Sequence, residues 1–139
     1  MPCLSGSFNP AIGLLINVGI LPAGTLRPGS APPIPLNTFP ALVDTGATVT
    51  CIAPSVVQHL GLQPIGMRAM VSATQTIPVP IYLVDLILPF GNTGFVLSST
   101  QVMEFAPAGG SPFQILVGRD VICQGILTLS FDGRYTFSI

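Results

Sequence analysis

Lysine and tryptophan are absent from this 139-residue chain, and charge of either sign is scarce: four arginines face five acids, 6% of residues in all. An ordinary domain carries roughly 25%. A formal net charge of −1 gives no electrostatic reason to expect nucleic acid or an anionic membrane surface as a partner. One histidine and five scattered acids offer no ligand cluster of recognisable spacing, so neither a metal nor another cofactor is expected. The three cysteines, Cys3, Cys51 and Cys123, are odd in number and lack CxxC spacing, which argues against a disulfide framework. No basic-flanked apolar leader is visible, and a reducing cytoplasm is the expected compartment. Long apolar runs are missing too. The best one, AIGLLINVGILPAG from Ala11, carries Asn17 and stops at Pro22, short of the roughly 20 residues a membrane span needs.

What the chain does have is apolar content, 49% of residues, far too much for a disordered segment. Residues 1–139 read as a single domain, long enough to bury a core. So uncharged a domain suggests apolar surface hidden between subunits, as in obligate homodimers. Fifteen prolines and fifteen glycines cut the chain into many short segments and favour an all-β fold.

Residues 11–21 read as a first strand, followed by the Pro/Gly-rich loop LPAGTLRPGSAPPIP over 21–35. FPALVD is a strand, DTGA a tight turn, TVTCI a second strand. In APSVVQHLGL, Pro54 opens a two-turn helix and Gly61 closes it. Residues 66–90 read as a hairpin with its tip at Ser72-Ala73-Thr74. Pro78 and Pro80 lie two apart, so both missing N–H groups point to one side, which requires a free edge there. Strands follow over 95–103 and in FQILVG. Asp120 is placed as a helix N-cap, with one turn over 121–124 closed by Gly125. Asp132-Gly133 marks a terminal hairpin.

Asp44 is the residue that demands an account, because it sits inside the apolar run FPALVDTGATVTCI. A lone ionised carboxylate there is costly unless something pairs with it or protonates it. Apolar-Val43-Asp44-Thr45-Gly46-Ala47, an edge hairpin able to fold over a cleft, and ILVGRD over 115–120 occur in that order. Together they resemble the retropepsin-like aspartic proteases over roughly residues 11–139. The resemblance implies a closed all-β acid-protease barrel with a flap hairpin and one or two short helices, working as a homodimer on a peptide or protein substrate. Chemistry sets the same requirement: carboxylate-driven amide hydrolysis needs one ionised and one protonated acid. One Asp-Thr-Gly box per chain means that a second chain supplies the second acid across a twofold axis. Two like charges so close cannot both ionise, and the pair shares a proton.

By the same resemblance Thr45 locks the two loops across the axis, and Gly46 leaves room for substrate backbone. Ala47 and Thr48 line the substrate, as do Ser72, Ala73 and Thr74 at the flap tip. Arg119 and Asp120 are structural. The chain departs from the family twice. Thr48 stands where an acid usually pairs with the arginine, so Arg119 must find carbonyls or Asp120. The flap tip holds no glycine between Gly66 and Gly91. The expected function is an aspartic endopeptidase; a non-catalytic retropepsin-like domain that dimerises or binds peptides is the alternative. A thiol enzyme built on Cys51 or Cys123 with His59 is a weaker reading, since nothing flanks them to support it. Asp85, in YLVDLIL, faces solvent or caps a polar contact.

Overall fold

A computed structural model describes residues 3–27, 37–91 and 93–139. The chain forms β1 (Cys3–Ser7), β2 (Leu15–Pro22), β3 (Thr38–Val43), β4 (Cys51–Ile52), α1 (Pro54–Leu60), β5 (Gly66–Val71), β6 (Thr76–Phe90), β7 (Thr93–Glu104), β8 (Ile115–Val117), α2 (Arg119–Ile122), β9 (Ile126–Leu129) and β10 (Arg134–Ser138). Six strands run in the order β2-β3-β8-β4-β7-β6, and β6 returns to pair with β2, Gly19 opposite Ile87 and Pro22 opposite Val84. The result is a closed barrel, with β5 added outside β6 and a separate sheet β1-β10-β9. All-β with two short helices is the architecture that the composition and the resemblance led us to expect.

Closure follows from alternation. Along β2, Ile16, Val18 and Ile20 are buried while Leu15 and Asn17 are exposed, so one face fills the barrel. Val84, Leu86 and Leu88 do the same on β6, meeting Ala41, Ile52, Val102, Ile115 and Val117. Each such aliphatic side chain contributes on the order of 1.5–3 kcal/mol by leaving water. Leu4, Leu127, Tyr135 and Phe137 of the small sheet pack against the same core. No helix among the described residues is long and apolar enough to cross a membrane.

The strand expected first, over 11–21, is the second, β2, and begins at Leu15 rather than Ala11. Asn9 and Pro10 make a turn instead: the Asn9 side chain accepts from Ala11 N–H at 2.9 Å, and Gly13 sits at φ 109°. Of the Pro/Gly-rich loop expected over 21–35, residues 28–35 lie outside the described residues; 21–22 end β2, and 23–27 form turns. α1 stands as expected, stopped by Gly61 at φ 63°, where a side chain would be strained. α2 begins two residues early: its N-cap is Gly118, not Asp120, because the Asp120 carboxylate is drawn away to Thr50.

The hairpin β5–β6 pairs Val71 with Thr76 down to Gly66 with Ile81. β7 joins β6 only from Ile81 onward, so residues 76–80 have a neighbour on one side alone. Pro78 and Pro80 fall in that stretch, where their missing donors cost no ladder bond.

Candidate active site

β3 carries the Asp44 loop and β8 holds it. The two strands run parallel, Val43 beside Val117, and the Asp44 N–H donates to the Val117 carbonyl at 2.9 Å. The chain then turns tightly: Gly46 N–H donates to Asp44 Oδ1 at 2.9 Å and Ala47 N–H to the Asp44 carbonyl at 3.2 Å. Asp44 is half-buried, with Thr45 and Gly46 exposed beside it. Among the described residues its Oδ2 takes no hydrogen bond, and the Thr45 hydroxyl has no partner. The carboxylate is therefore oriented through one oxygen and open through the other.

A second layer fixes this loop to α2. Arg119 N–H donates to the Ala47 carbonyl at 2.8 Å and Asp120 N–H to the Thr48 carbonyl at 3.3 Å. The Arg119 guanidinium donates to the Thr45 carbonyl and to Thr48 Oγ1, both at 3.1 Å. Thr48 thus meets the arginine as a hydroxyl acceptor where the family usually has an acid. Asp120 binds Thr50 through both oxygens, accepting from its N–H at 3.0 Å and its hydroxyl at 2.8 Å, and also from Val121 N–H at 2.9 Å. Thr50 is fully buried, and its hydroxyl accepts in turn from Gly118 N–H at 3.1 Å. A β-carbon on Gly118 would stand 2.7 Å from the Val49 carbonyl carbon, so glycine is what lets β8 approach the loop this closely.

Thr50 was not singled out from the sequence, although it carries the most connected hydroxyl of the site. Its spacing of six from Asp44, with a carboxylate at Asp120, would have been the signal. Ser72, Ala73 and Thr74 lie exposed at the tip of the β5–β6 hairpin, which Ser72 closes by accepting from Gln75 N–H at 3.2 Å and donating to its carbonyl at 3.0 Å. Serine and glutamine backbone bonds shape this tip without glycine.

The barrel carries a single Asp-Thr-Gly loop, seated between two parallel strands and tied to a Gly-Arg-Asp helix. Residues 36–121 match the family model for an aspartyl protease. The chain belongs to the aspartyl protease family. Its fold is retropepsin-like. It superposes on a retropepsin-like aspartic protease from Rickettsia conorii with a TM-score of 0.63, covering 97% of this chain and 89% of that one at 10% identity. The comparison with curated proteins returned no match.

Cys51, His59 and the other four acids of the chain are engaged in contacts of their own. Burial, with the nearby charges of Asp120 and Asp44, pushes the Cys51 thiol up to about 11, so it stays protonated at neutral pH and is a poor nucleophile. Its thiol points at the Val49 carbonyl, while exposed His59 meets the Phe39 ring edge-on. Asp85 does not face solvent: it is 0% exposed, accepting from Leu26 N–H at 3.1 Å and Ser99 N–H at 3.0 Å at a bulge in β6. Glu104 accepts from the Tyr82 hydroxyl, and Asp132 pairs with Arg134 at 3.6 Å and with Ser130. All five acids of the sequence are thereby placed.

Proposed function

We propose that the protein is an aspartic endopeptidase that acts as a homodimer through two Asp44 carboxylates. The observation that carries this reading is that Asp44 has one open oxygen on an exposed loop while every other acid is engaged elsewhere. The chain offers no second carboxylate for a dyad, so a second copy supplies it across a twofold axis.

With one proton shared between the pair, the ionised Asp44 takes a proton from water as the water oxygen attacks the peptide carbonyl carbon. The protonated Asp44 of the other subunit gives its proton to the carbonyl oxygen. The resulting tetrahedral diol collapses: the C–N bond breaks, one hydroxyl returns its proton to a carboxylate, and the leaving nitrogen takes a proton from the dyad. Gly46 N–H holds Oδ1 in place through both steps. The unpartnered Thr45 hydroxyl is suited to bond across the axis, and Gly46, lacking a side chain, leaves room for the substrate backbone beside the dyad. Arg119 and Asp120 act by fixing the loop and do not touch substrate.

The β5–β6 hairpin closes over an extended peptide, which pairs with it as an added strand. Ala47 and Thr48 form the floor, and Ser72, Ala73 and Thr74 the lid. With few charges on offer, the segment accepted is largely apolar. The test is cleavage of a mixed peptide library between about pH 4 and 7, where a carboxylate dyad holds one proton, comparing wild type with Asp44→Asn. Cleavage by wild type alone is expected. Equal cleavage by both proteins ends the proposal, and silence from both leaves a peptide-binding or dimerisation module.

A further inference from the structure

The β5–β6 hairpin carries its charge on the unexpected side. Paired residues of an antiparallel ladder share a face, and faces alternate along each strand. Met67 and Val71 of β5 therefore share one face with Pro80 and Thr76 of β6. Arg68 and Met70 share the other with Val79 and Ile77. The first face is open and holds no charged residue; Met67 on it is 60% exposed and Val71 75%. The second is turned to the barrel, where Met70, Val79 and Ile81 join Val49, Cys51 and Leu116 in one apolar cluster. Val49 belongs to the segment that leaves the Asp44 loop, and Leu116 precedes Val117, whose carbonyl holds the Asp44 N–H.

Arg68 stands on that inward face, opposite Val79. Solvation alone would put a lone cation on the open face and the apolar side chains beneath it, and the hairpin does the reverse. Arg68 is exposed even so, at the margin of the cluster. Its guanidinium has no ion pair or hydrogen bond among the described residues. Arg119 is tied to Thr45 and Thr48, Arg134 to Asp132, and Arg27 has a contact of its own. One of only four arginines is thus held unpaired between hairpin and barrel.

We propose that Arg68 is a specificity-determining residue that reads an acidic side chain of the peptide, beside its apolar segment. The inference rests on the endopeptidase reading, with the hairpin tip over the bond to be cut. A peptide paired with β5 advances as β5 does, about 3.3 Å per residue. Arg68 lies four positions before Ser72 at the tip, so it meets a side chain about three or four residues from that bond. A guanidinium takes a carboxylate through two parallel N–H bonds, whereas an amide offers a single acceptor oxygen. In the homodimer Arg68 of the partner subunit does the same at the other end. The preferred substrate is then an apolar centre with an acid on each flank.

Capped octapeptide pools test this, with four central apolar positions flanked on each side by two Glu, two Gln or two Lys. At about pH 6 free Glu is ionised, and wild type should cleave the Glu pool best and the Lys pool least. An exposed ion pair is worth a few-fold, so Glu should gain about two- to fivefold over Gln in kcat/KM per flank. The gain should come through KM and fade in high salt. Arg68→Glu should invert the ranking and Arg68→Leu level it. Calorimetric titration of the same pools into Asp44→Asn, with and without Arg68→Glu, reads binding apart from cleavage. Asp44-dependent cleavage blind to the flanks, or a ranking that Arg68→Glu leaves alone, would overturn the inference and spare the dyad. Glu-selective binding that Arg68→Glu inverts, with no pool cleaved by wild type, would uphold the role of Arg68 and sink the dyad chemistry. Neither binding nor cleavage of any pool would sink both.

Discussion

Asp120→Asn is the perturbation on which the structural half of the account is most exposed. The carboxylate takes three hydrogen bonds, from Thr50 N–H, the Thr50 hydroxyl and Val121 N–H, and both of its oxygens are used. An amide keeps the shape and loses the charge. Whichever way it flips, its NH2 faces a backbone N–H, so at least one donor loses its acceptor. A bond to a charged group is worth about 1.5–3 kcal/mol, and an orphaned donor costs about 1–3 kcal/mol. Since Asp120 is half-buried, the net loss should be about 2–3 kcal/mol. At a urea slope of about 1–3 kcal/mol/M the midpoint falls by roughly 1–2 M, read at fixed protein concentration because a dimer's stability depends on it. Thr50→Val removes the other end and strands Gly118 N–H, at about 1–2 kcal/mol. Because the two residues share bonds, the double variant should lose about 1 kcal/mol less than the sum. The proteolytic rate should fall by about ten- to a hundredfold, since the loop that aims Asp44 is loosened. A wild-type midpoint for Asp120→Asn, or strict additivity with Thr50→Val, would refute the claim that this contact holds the site together.

Three further outcomes follow from other contacts. Gly118→Ala drives a β-carbon into the Val49 and Thr50 backbone and should cost about 1–3 kcal/mol along with most activity, whereas Gly46→Ala, whose new carbon meets only Asp44 Oδ1 at 3.1 Å, should leave stability closer to wild type in the same melts. Asp85→Ala strands the Leu26 and Ser99 N–H groups and should speed exchange at those two amides, with about 2–4 kcal/mol of stability lost. Cys51 is raised from 9 to about 11 in the fold. The unfolded chain therefore gives up this proton first, so the contribution is intact below pH 9 and is lost as pH climbs toward about 11. That loss amounts to up to about 2 kcal/mol, and thermal melts of Cys51→Ala should lack this part of the alkaline decline.

The Asp44 loop was legible because its signals are local. FPALVD gives an apolar strand and DTGA a turn, each within a few residues, and ILVGRD repeats the strand-to-helix cue. Pro78 and Pro80 located a one-sided stretch of β6 by the donors they lack. Features that depend on distant pairings did not show. β1, with the sequence CLSGS, has no apolar alternation of its own and becomes a strand only against β10, more than a hundred residues later. For Asp85 the sequence leaves open whether it faces solvent or caps a polar contact, and only the distant Leu26 and Ser99 N–H groups decide for the second. Asp120 reads as an N-cap by position, yet Thr50, seventy residues away in sequence, claims its oxygens.

The central claim is that chemistry requires an Asp44 from each of two chains, and mixing tests it most directly. Wild type is equilibrated with increasing fractions of Asp44→Asn at constant total protein, above the dimer dissociation constant, and peptide cleavage is measured. If both acids are needed, activity falls as the square of the wild-type fraction, to about a quarter at an equal mixture. A linear fall, to about a half, would mean that one chain's Asp44 suffices, contradicting the account.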